Sequence, residues 1–221
     1  MKHKTISYFL FFICVALGYG CCTPSSSSRE VLDMNTDWAF YRGDVTEGSR
    51  TDLDDSGWMP VALPHIMQLE TKHCGGNSIY DGVGWYRRYF KLPAKYKDKR
   101  IVVSFEGVMT NCDVYLNGQK ITDHHGGYMG FVADLTDRID WDGNNVLAVR
   151  VSAEHDPLTP PGKPQDKMDF YYYSGIYRDV RMEITDKIYI TDPFQEDKVA
   201  GGGQFVTFPE VTKEKARTHI A

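Results

Sequence analysis

The sequence predicts an all-β protein, a sandwich of short antiparallel strands around one core. No convincing amphipathic helix occurs between Trp38 and Ile190, whereas segments of alternating apolar and polar residues recur between Gly, Pro, Asn and Asp residues. The pair Asn117-Gly118 is the strongest hairpin signal in the chain, because both residue types tolerate positive φ. A hydrophobic fraction of 42% in 221 residues suffices for one sizeable core and the start of a second domain.

Four strands can be placed from the alternation, each with one face directed to the core. Their inward residues are, in chain order, Ile101, Val103 and Phe105; Cys112, Val114 and Leu116; Leu147, Val149 and Val151; Val180, Met182 and Ile184. The last of these strands is expected to extend from Tyr177 to Ile184, and a further one to begin near Gln119, directly after the Asn117-Gly118 turn.

Two segments interrupt the strand pattern. Residues 156–169, here called the lip, must leave the sheet, because four prolines there (Pro157, Pro160, Pro161 and Pro164) cannot donate ladder hydrogen bonds. A loop of this length in a compact domain is usually functional or disordered, so the lip is a candidate wall of a binding site. After residue 191, the run Gly201-Gly202-Gly203 and the segment 205–208 predict a linker and the first strand of a second β domain.

Charge and aromatic content indicate which classes of binding partner to expect. The formal net charge is -5 and the basic residues are scattered among acids, so nucleic acid is not an expected partner. The 14 tyrosines suit a β-sheet core or a surface that stacks on sugar rings.

The amino terminus predicts export. Lys2, His3 and Lys4 precede an apolar run, residues 6–17, that is too short for a permanent membrane span, so residues 1–21 are interpreted as a secretory signal. The small residues before Cys21 resemble the lipobox of bacterial lipoproteins, and Cys21 is the predicted lipidation site; ordinary signal-peptidase cleavage is the alternative. Residues 22–35 then form a polar tether. We expect a protein of the periplasm or outer membrane of a Gram-negative bacterium, in contact with the membrane only through the lipid anchor.

The five cysteines show no disulfide spacing, and Cys112 is expected to pack as a small apolar residue. His73-Cys74 and His124-His125 have no partners at zinc-type spacing, so we expect no metal site formed by this chain.

Several short motifs follow one another in a specific order. They are Trp38-Ala39-Phe40, Gly43-Asp44, Asp54-Asp55-Ser56-Gly57-Trp58, Leu63-Pro64-His65, Gly84-Trp85-Tyr86-Arg87-Arg88, Phe105-Glu106-Gly107-Val108, Val114-Tyr115-Leu116-Asn117-Gly118, Gly126-Gly127-Tyr128 with Phe131, Asn145-Val146-Leu147-Ala148-Val149, and Ser174-Gly175-Ile176-Tyr177-Arg178-Asp179-Val180. In this order they resemble the amino-terminal sugar-binding domain of glycoside hydrolase family 2, of the β-galactosidase and β-glucuronidase type.

The resemblance implies a jelly-roll β-sandwich, similar to galactose-binding domains, over residues 36–190, followed in 191–221 by the incomplete start of an immunoglobulin-like β domain. Members of this family are retaining O-glycosyl hydrolases whose two catalytic glutamates lie in a later (β/α)8 barrel. Such a barrel takes about 200 to 250 residues. The resemblance therefore implies that this chain contains no catalytic residue, is inactive alone, and serves as the sugar-binding module of an exported enzyme of glycan breakdown.

One site residue follows from the resemblance. In family members an Asp shortly before the Ser/Ala-Gly-Ile motif contacts the terminal sugar, directly or through a bound monovalent or divalent cation, and the stretch from Asp169 to Ile176 resembles that region. Asp169 is thus the predicted substrate-binding residue, and the predicted partner is a glycan with a terminal β-linked sugar. A carboxylate suits this task because it accepts hydrogen bonds from two sugar hydroxyls or offers hard oxygen to a cation. The alternative is a solvated loop acid.

Most other motif residues have structural interpretations. Trp38, Trp58 and Trp85 are expected to pack in the core or between loops, and Arg178 to form an ion pair with Asp179. His65 is expected to be a hydrogen-bonded loop histidine whose pKa is not altered.

Three functions remain open at this level. The first is a non-catalytic module of an exo-acting glycosidase, the second a stand-alone carbohydrate-binding lipoprotein, and the third an inactive truncated fragment. A stand-alone binding protein should display a self-contained aromatic platform, whereas the lip belongs to a site completed by other residues. The sequence favours the first function over the second but does not separate it from the third.

Overall fold

The computed structural model of the chain describes residues 29–68, 80–191 and 202–221. The predicted signal peptide, the lipidation candidate Cys21 and the His73-Cys74 pair lie outside the described residues. Within the described ranges the regular structure consists of strands and three short 3₁₀ turns, Ala94–Tyr96, Thr136–Arg138 and Gln165–Lys167. No helix in those ranges has the length and apolar character needed to cross a membrane.

The strands are β1 (Arg29–Asp33), β2 (Trp38–Arg42), β3 (Met59–Val61), β4 (Val83–Phe90), β5 (Arg100–Phe105), β6 (Val108–Met109), β7 (Asn111–Leu116), β8 (Gln119–His125), β9 (Phe131–Asp134), β10 (Asn145–Ser152), β11 (Gly175–Ile176), β12 (Val180–Thr185), β13 (Val206–Val211) and β14 (Ala216–Ile220). Ten of them form a four-stranded sheet, β1-β12-β5-β9, and a six-stranded sheet, β3-β2-β4-β10-β7-β8, and the other four pair as β6-β11 and β13-β14. Every pairing is antiparallel. The predicted all-β sandwich is therefore confirmed.

The core lies between the two sheets. All twelve side chains predicted to point inward are buried in one cluster, to which β5 and β12 contribute from one sheet and β7 and β10 from the other. β7 shows the alternation most clearly, because every second residue from Cys112 to Leu116 is buried. The predicted hairpin is also present: Asn117 (φ 52°) and Gly118 (φ 82°) connect β7 to β8, which begins at Gln119 as expected.

The sandwich begins earlier than the sequence predicted. Residues Arg29–Asp33, assigned to the polar tether 22–35, pair with β12 as the edge strand β1. Only Leu32 of this strand packs against the core, and the other four residues are exposed. An edge strand with one inward side chain has too little alternation to be recognised from sequence.

The last strand also differs at its start. β12 begins at Val180 rather than Tyr177, and β11 precedes it as a separate short strand paired with β6. Beyond the sandwich, the strand predicted at 205–208 is confirmed as part of β13, which pairs with β14 in a hairpin. Its assignment to an immunoglobulin-like domain stays a prediction.

Candidate functional site at the end of the sandwich

The lip is anchored to the sandwich by its first residue, Asp156. The carboxylate accepts hydrogen bonds from the Thr159 hydroxyl (2.6 Å), the Leu158 N–H (2.9 Å) and the Asn111 side-chain amide (3.2 Å). These bonds, that from Thr159 first, lower the pKa of Asp156. Because Asn111 also accepts a hydrogen bond from the Gly126 N–H (3.3 Å), the lip and the loop after β8 are fixed to the same end of β7.

The returning arm of the lip is held by Gln165. This side chain is buried, and its Nε2 donates to the carbonyl oxygen of Tyr172 at 2.8 Å. Next to it, the carbonyl oxygen of Ser174 accepts from the N–H of Met67 at 2.7 Å. The Gln165 Oε1 and Ser174 Oγ atoms are buried without a hydrogen-bond partner among the described residues, so this region has capacity for a water molecule or a polar ligand group.

Gly175 explains the centre of the Ser174-Gly175-Ile176 motif. Its φ is +131°, and a Cβ there would lie 2.6 Å from the carbonyl oxygen of His65 and 2.7 Å from the hydroxyl of Tyr86. The lip can therefore return to the sheet at this point only through a glycine.

His65 is satisfied, as predicted, but the expectation about its pKa was wrong. Its ring Nδ1 lies 2.9 Å from the Tyr86 hydroxyl, and its backbone N–H donates to the carbonyl of Ile176 at 2.8 Å. The ring packs against Phe40 and Tyr86, with centroids 4.7 and 5.6 Å away. The resulting burial lowers the pKa of His65, which favours the neutral imidazole. Both aromatic rings are far away in sequence, so the local pattern gave no signal of this desolvation.

Asp169 is exposed and is the last residue of the lip. No described residue forms a hydrogen bond or an ion pair with its carboxylate. The neighbouring Phe170 is half-exposed, whereas Tyr171, Tyr172 and Tyr173 are partly buried, with the first and third rings 5.3 Å apart. Burial raises the pKa of Tyr172. The structure thus presents a carboxylate beside a supporting tyrosine segment, and its role in binding stays a prediction.

A cavity of about 200 Å³ lies beside the lip. Asp81, His155, Gln165, Asp166 and Tyr172 contribute to its wall. Asp169 is not part of this lining, so the cavity gathers the middle of the lip but not the predicted site residue.

Metal-binding groups are not concentrated in the described ranges. No set of three or more His, Cys, Asp or Glu side chains there could hold a metal ion. Asp169 could therefore provide one oxygen ligand to a cation, with the other ligands coming from elsewhere. Cys112 is buried and unpaired, and burial raises the pKa of its thiol, as fits its predicted packing role.

The tryptophans of the motifs act in packing, as predicted. Trp38 is buried and its Nε1 donates to the Met34 carbonyl at 2.6 Å. Trp85 Nε1 donates to Asp44 at 2.9 Å, and Arg150 binds the same carboxylate with two hydrogen bonds of 3.1 and 2.6 Å. The bond from Arg150 is the largest contribution that lowers the pKa of Asp44 to about 2. The Gly43-Asp44 motif therefore fixes a loop over the six-stranded sheet.

Arg87 is the important buried charge that the sequence did not reveal. Its side chain is completely buried, and its Nε donates to Asp55 at 2.7 Å. The guanidinium also donates to the carbonyls of Gly48 (2.7 Å) and Arg50 (2.9 Å), and lies 5.8 Å from the centre of the Trp58 ring. The motif around Asp55 and Trp58 thus supplies contacts for the buried Arg87 side chain. In the sequence, the paired acids before Trp58 were the signal that could have indicated a buried basic partner.

The predicted ion pair between Arg178 and Asp179 was wrong. Asp179 instead binds Arg181 at 3.2 Å, while the Arg178 guanidinium lies 5.4 Å from the centre of the Tyr177 ring. Adjacent residues of an extended chain point to opposite sides, whereas residues two apart share a side, so the spacing favours Arg181.

The chain is similar to a family profile and to several known proteins. Residues 73–185 match the profile described as "Glycosyl hydrolases family 2, sugar binding domain". The chain is 37% identical over 169 residues to a β-galactosidase of Thermoanaerobacter pseudethanolicus, a match that covers 75% of this chain and 22% of that protein. It is 33% identical over 211 residues to a β-galactosidase of Bacteroides ovatus, covering 91% of this chain and 23% of the relative.

Solved structures give the same picture. A Bacteroides uniformis β-glucuronidase superposes with a TM-score of 0.72 at 28% identity, over 87% of this chain and 22% of that one. A glycosyl hydrolase family 2 member of Bacteroides cellulosilyticus superposes with a TM-score of 0.68 at 34% identity, over 86% of this chain and 24% of that one. The chain spans about a fifth of the length of the curated relatives that it matches.

Proposed function

The chain belongs to glycoside hydrolase family 2, as its sugar-binding domain, and from this premise we propose that it supplies one wall of the pocket of an exo-acting β-glycosidase. In this proposal Asp169 contacts the terminal β-linked sugar of a glycan, directly or through a cation. The two catalytic carboxylates of such an enzyme must flank the scissile bond at a defined separation, and in this proposal another part of the enzyme supplies them.

The observation that carries the proposal is an unpartnered carboxylate on a lip that is fixed at both ends. Asp156 ties the start of the lip to β7, and Gln165 ties its return to Tyr172. A wall that is ordered before the sugar arrives loses less conformational entropy on binding. Since no described residue engages Asp169, its carboxylate retains its full capacity to accept hydrogen bonds from two sugar hydroxyls.

The proposal is tested in an enzyme that contains a barrel. Residues 29–191 of this chain would replace the matching segment of the Bacteroides ovatus β-galactosidase, and kcat/KM would be measured on an aryl β-galactoside. We expect Asp169→Asn to lower kcat/KM by about 10- to 150-fold, the loss of one charge-assisted contact of about 1.5 to 3 kcal/mol. Asp142→Asn, which changes an exposed aspartate in the distant 142–144 turn, is the matched control and should leave kcat/KM unchanged.

Melting curves of each variant separate the possible results. If Asp169→Asn is kinetically silent, the residue is a solvated loop acid. If it lowers the melting temperature along with activity, its role is structural. Either result removes Asp169 from the proposed site.

We also propose export with lipid attachment at Cys21, on the basis of the short apolar run that ends in Gly20-Cys21. Intact mass of the protein from a Gram-negative expression host should show a diacylglyceryl addition. Cys21→Ser should abolish the addition, whereas the neighbouring Cys22→Ser should retain it at the same site. A soluble product with an unmodified amino terminus would refute the anchor.

A further inference from the structure

A second groove lies on the outer face of the four-stranded sheet. Its volume is about 320 Å³, at the lower end of the range of about 300 to 1,000 Å³ that is usual for small-molecule sites. The groups that can contact a ligand come from β5, β12 and the loops beside them: Ser104, Glu106, Tyr128, Met129, Arg178 and Glu183. Asp169 is not part of this groove.

Tyr128 is presented to this groove by a loop that is already fixed. The Tyr177 hydroxyl donates to the Gly127 carbonyl at 2.6 Å, on one side of Tyr128. On the other side, Phe131 stacks on Phe105, with ring centroids 4.9 Å apart and planes within 6°. Tyr128 itself is 49% exposed. The loop is therefore held by its neighbours, and packing leaves the ring of Tyr128 free to serve as an aromatic platform.

The charges around the groove balance. Glu106 binds Arg181 at 2.9 Å, and Glu183 lies 3.8 Å from Arg29. Arg178 rests against Tyr177 and has no carboxylate partner among the described residues. The charged side chains of the wall are Glu106, Glu183 and Arg178, and with the neighbours Arg29, Arg181 and Asp179 they make three acids and three arginines. With no net formal charge, the groove has no general preference for an ion.

We propose that this groove binds one neutral pyranose ring of a glycan. The apolar face of the sugar lies on Tyr128, its hydroxyls donate to the Glu106 carboxylate, and its oxygens accept from the Arg178 guanidinium. Sugar hydroxyls suit this wall because each can both donate and accept, so they pair with acids and arginines without adding charge. The groove consists entirely of described residues of this chain, and the proposal does not rest on the assignment of Asp169.

The test is an NMR titration of the 221-residue chain with methyl β-galactopyranoside and, separately, methyl β-glucuronide. We expect saturable shifts of the amides around Ser104 and Tyr128, with a Kd in the millimolar range for the galactoside because one open groove buries little of a sugar. Tyr128→Ala should weaken binding by roughly tenfold. Tyr41→Ala, which removes a similarly exposed tyrosine from the other sheet, should leave the Kd unchanged.

Three results would overturn the inference: no saturable shift with up to about 100 mM galactoside, equal Kd values for Tyr128→Ala and the unaltered chain, or glucuronide binding more than tenfold tighter than galactoside. The third result would show a charge-selective site. Loss of binding in Asp169→Asn with an unaffected Tyr128→Ala would place the sugar at the lip instead, which supports the proposed function while removing this groove.

Discussion

Removal of the Asp55 carboxylate should destabilise the sandwich strongly, because it leaves the guanidinium of Arg87 in the interior without its counter-charge. The Arg87 side chain is fully buried, and that of Asp55 is only 15% exposed. Breaking a buried ion pair from one side costs about 3 to 5 kcal/mol. Arg87 would retain the carbonyl acceptors of Gly48 and Arg50, which places Asp55→Ala near the lower limit, at about 3 kcal/mol.

The assay is urea and thermal unfolding of the chain, followed by circular dichroism. For a protein of this size, a loss of about 3 kcal/mol corresponds to a fall of roughly 6 to 12 °C in Tm. Asp52→Ala is the matched control, since Asp52 pairs with Arg50 through bonds as short as 2.6 Å but at side-chain exposures of 54% and 66%. Solvent screens an exposed pair of this kind, so Asp52→Ala should change the stability far less than Asp55→Ala.

A double variant tests whether the unpaired charge of Arg87 causes this loss of stability. Asp55→Ala combined with Arg87→Met removes both the acid and the buried charge, so it should be more stable than Asp55→Ala alone. The reasoning would be refuted if Asp55→Ala cost no more than Asp52→Ala, or if Arg87→Met gave the double variant no recovery.

Two further predictions concern Gly175 and Asp44. Gly175→Ala should lower the free energy of unfolding by about 2 to 4 kcal/mol, because the new Cβ would be strained at this φ and would contact His65. Gly57→Ala is the control and should be nearly neutral, because a Cβ there meets nothing within 4 Å; equal melting temperatures for the two variants would contradict the prediction. Because Arg150 lowers the folded-state pKa of Asp44 to about 2, the pair stabilises above the ordinary value of 3.8 and is lost as pH falls toward 2. The side chain of Asp44 is half-exposed, so solvent screening limits this effect to about 1 kcal/mol or less, and Asp44→Asn should flatten the stability profile between pH 4 and 2; an unchanged profile would assign the acid sensitivity to other groups.

The fold could be predicted because apolar residues recur at every second position in β5, β7, β10 and β12. That alternation is a property of neighbouring residues, so twelve inward side chains and the Asn117-Gly118 hairpin were recognisable without knowledge of what they contact. β1 lacks this property, since a single inward residue, Leu32, attaches an otherwise exposed edge to β12. Its place in the sandwich depends on pairing with residues about 150 positions later.

Long-range contacts also explain the errors at individual residues. Arg87 looks like a surface arginine until the segment that contains Asp55 and Trp58 covers it. His65 loses hydration to Phe40 and Tyr86, which reach it only in the folded sheet. The wrong pairing of Arg178 with Asp179 was avoidable, because side-chain direction in an extended segment is a local property.

The motif residues therefore divide into two groups with different experimental value. Trp38, Trp85 and Arg87 identify the family through the packing of its sandwich, and their substitution would lower stability whatever the protein binds. Tyr128 and Asp169 instead direct exposed side chains away from segments that other residues already hold in place. Since the fold does not need these two side chains, a change in sugar binding or turnover on their substitution reports directly on function, and the two positions separate a self-contained groove from a wall that another domain completes.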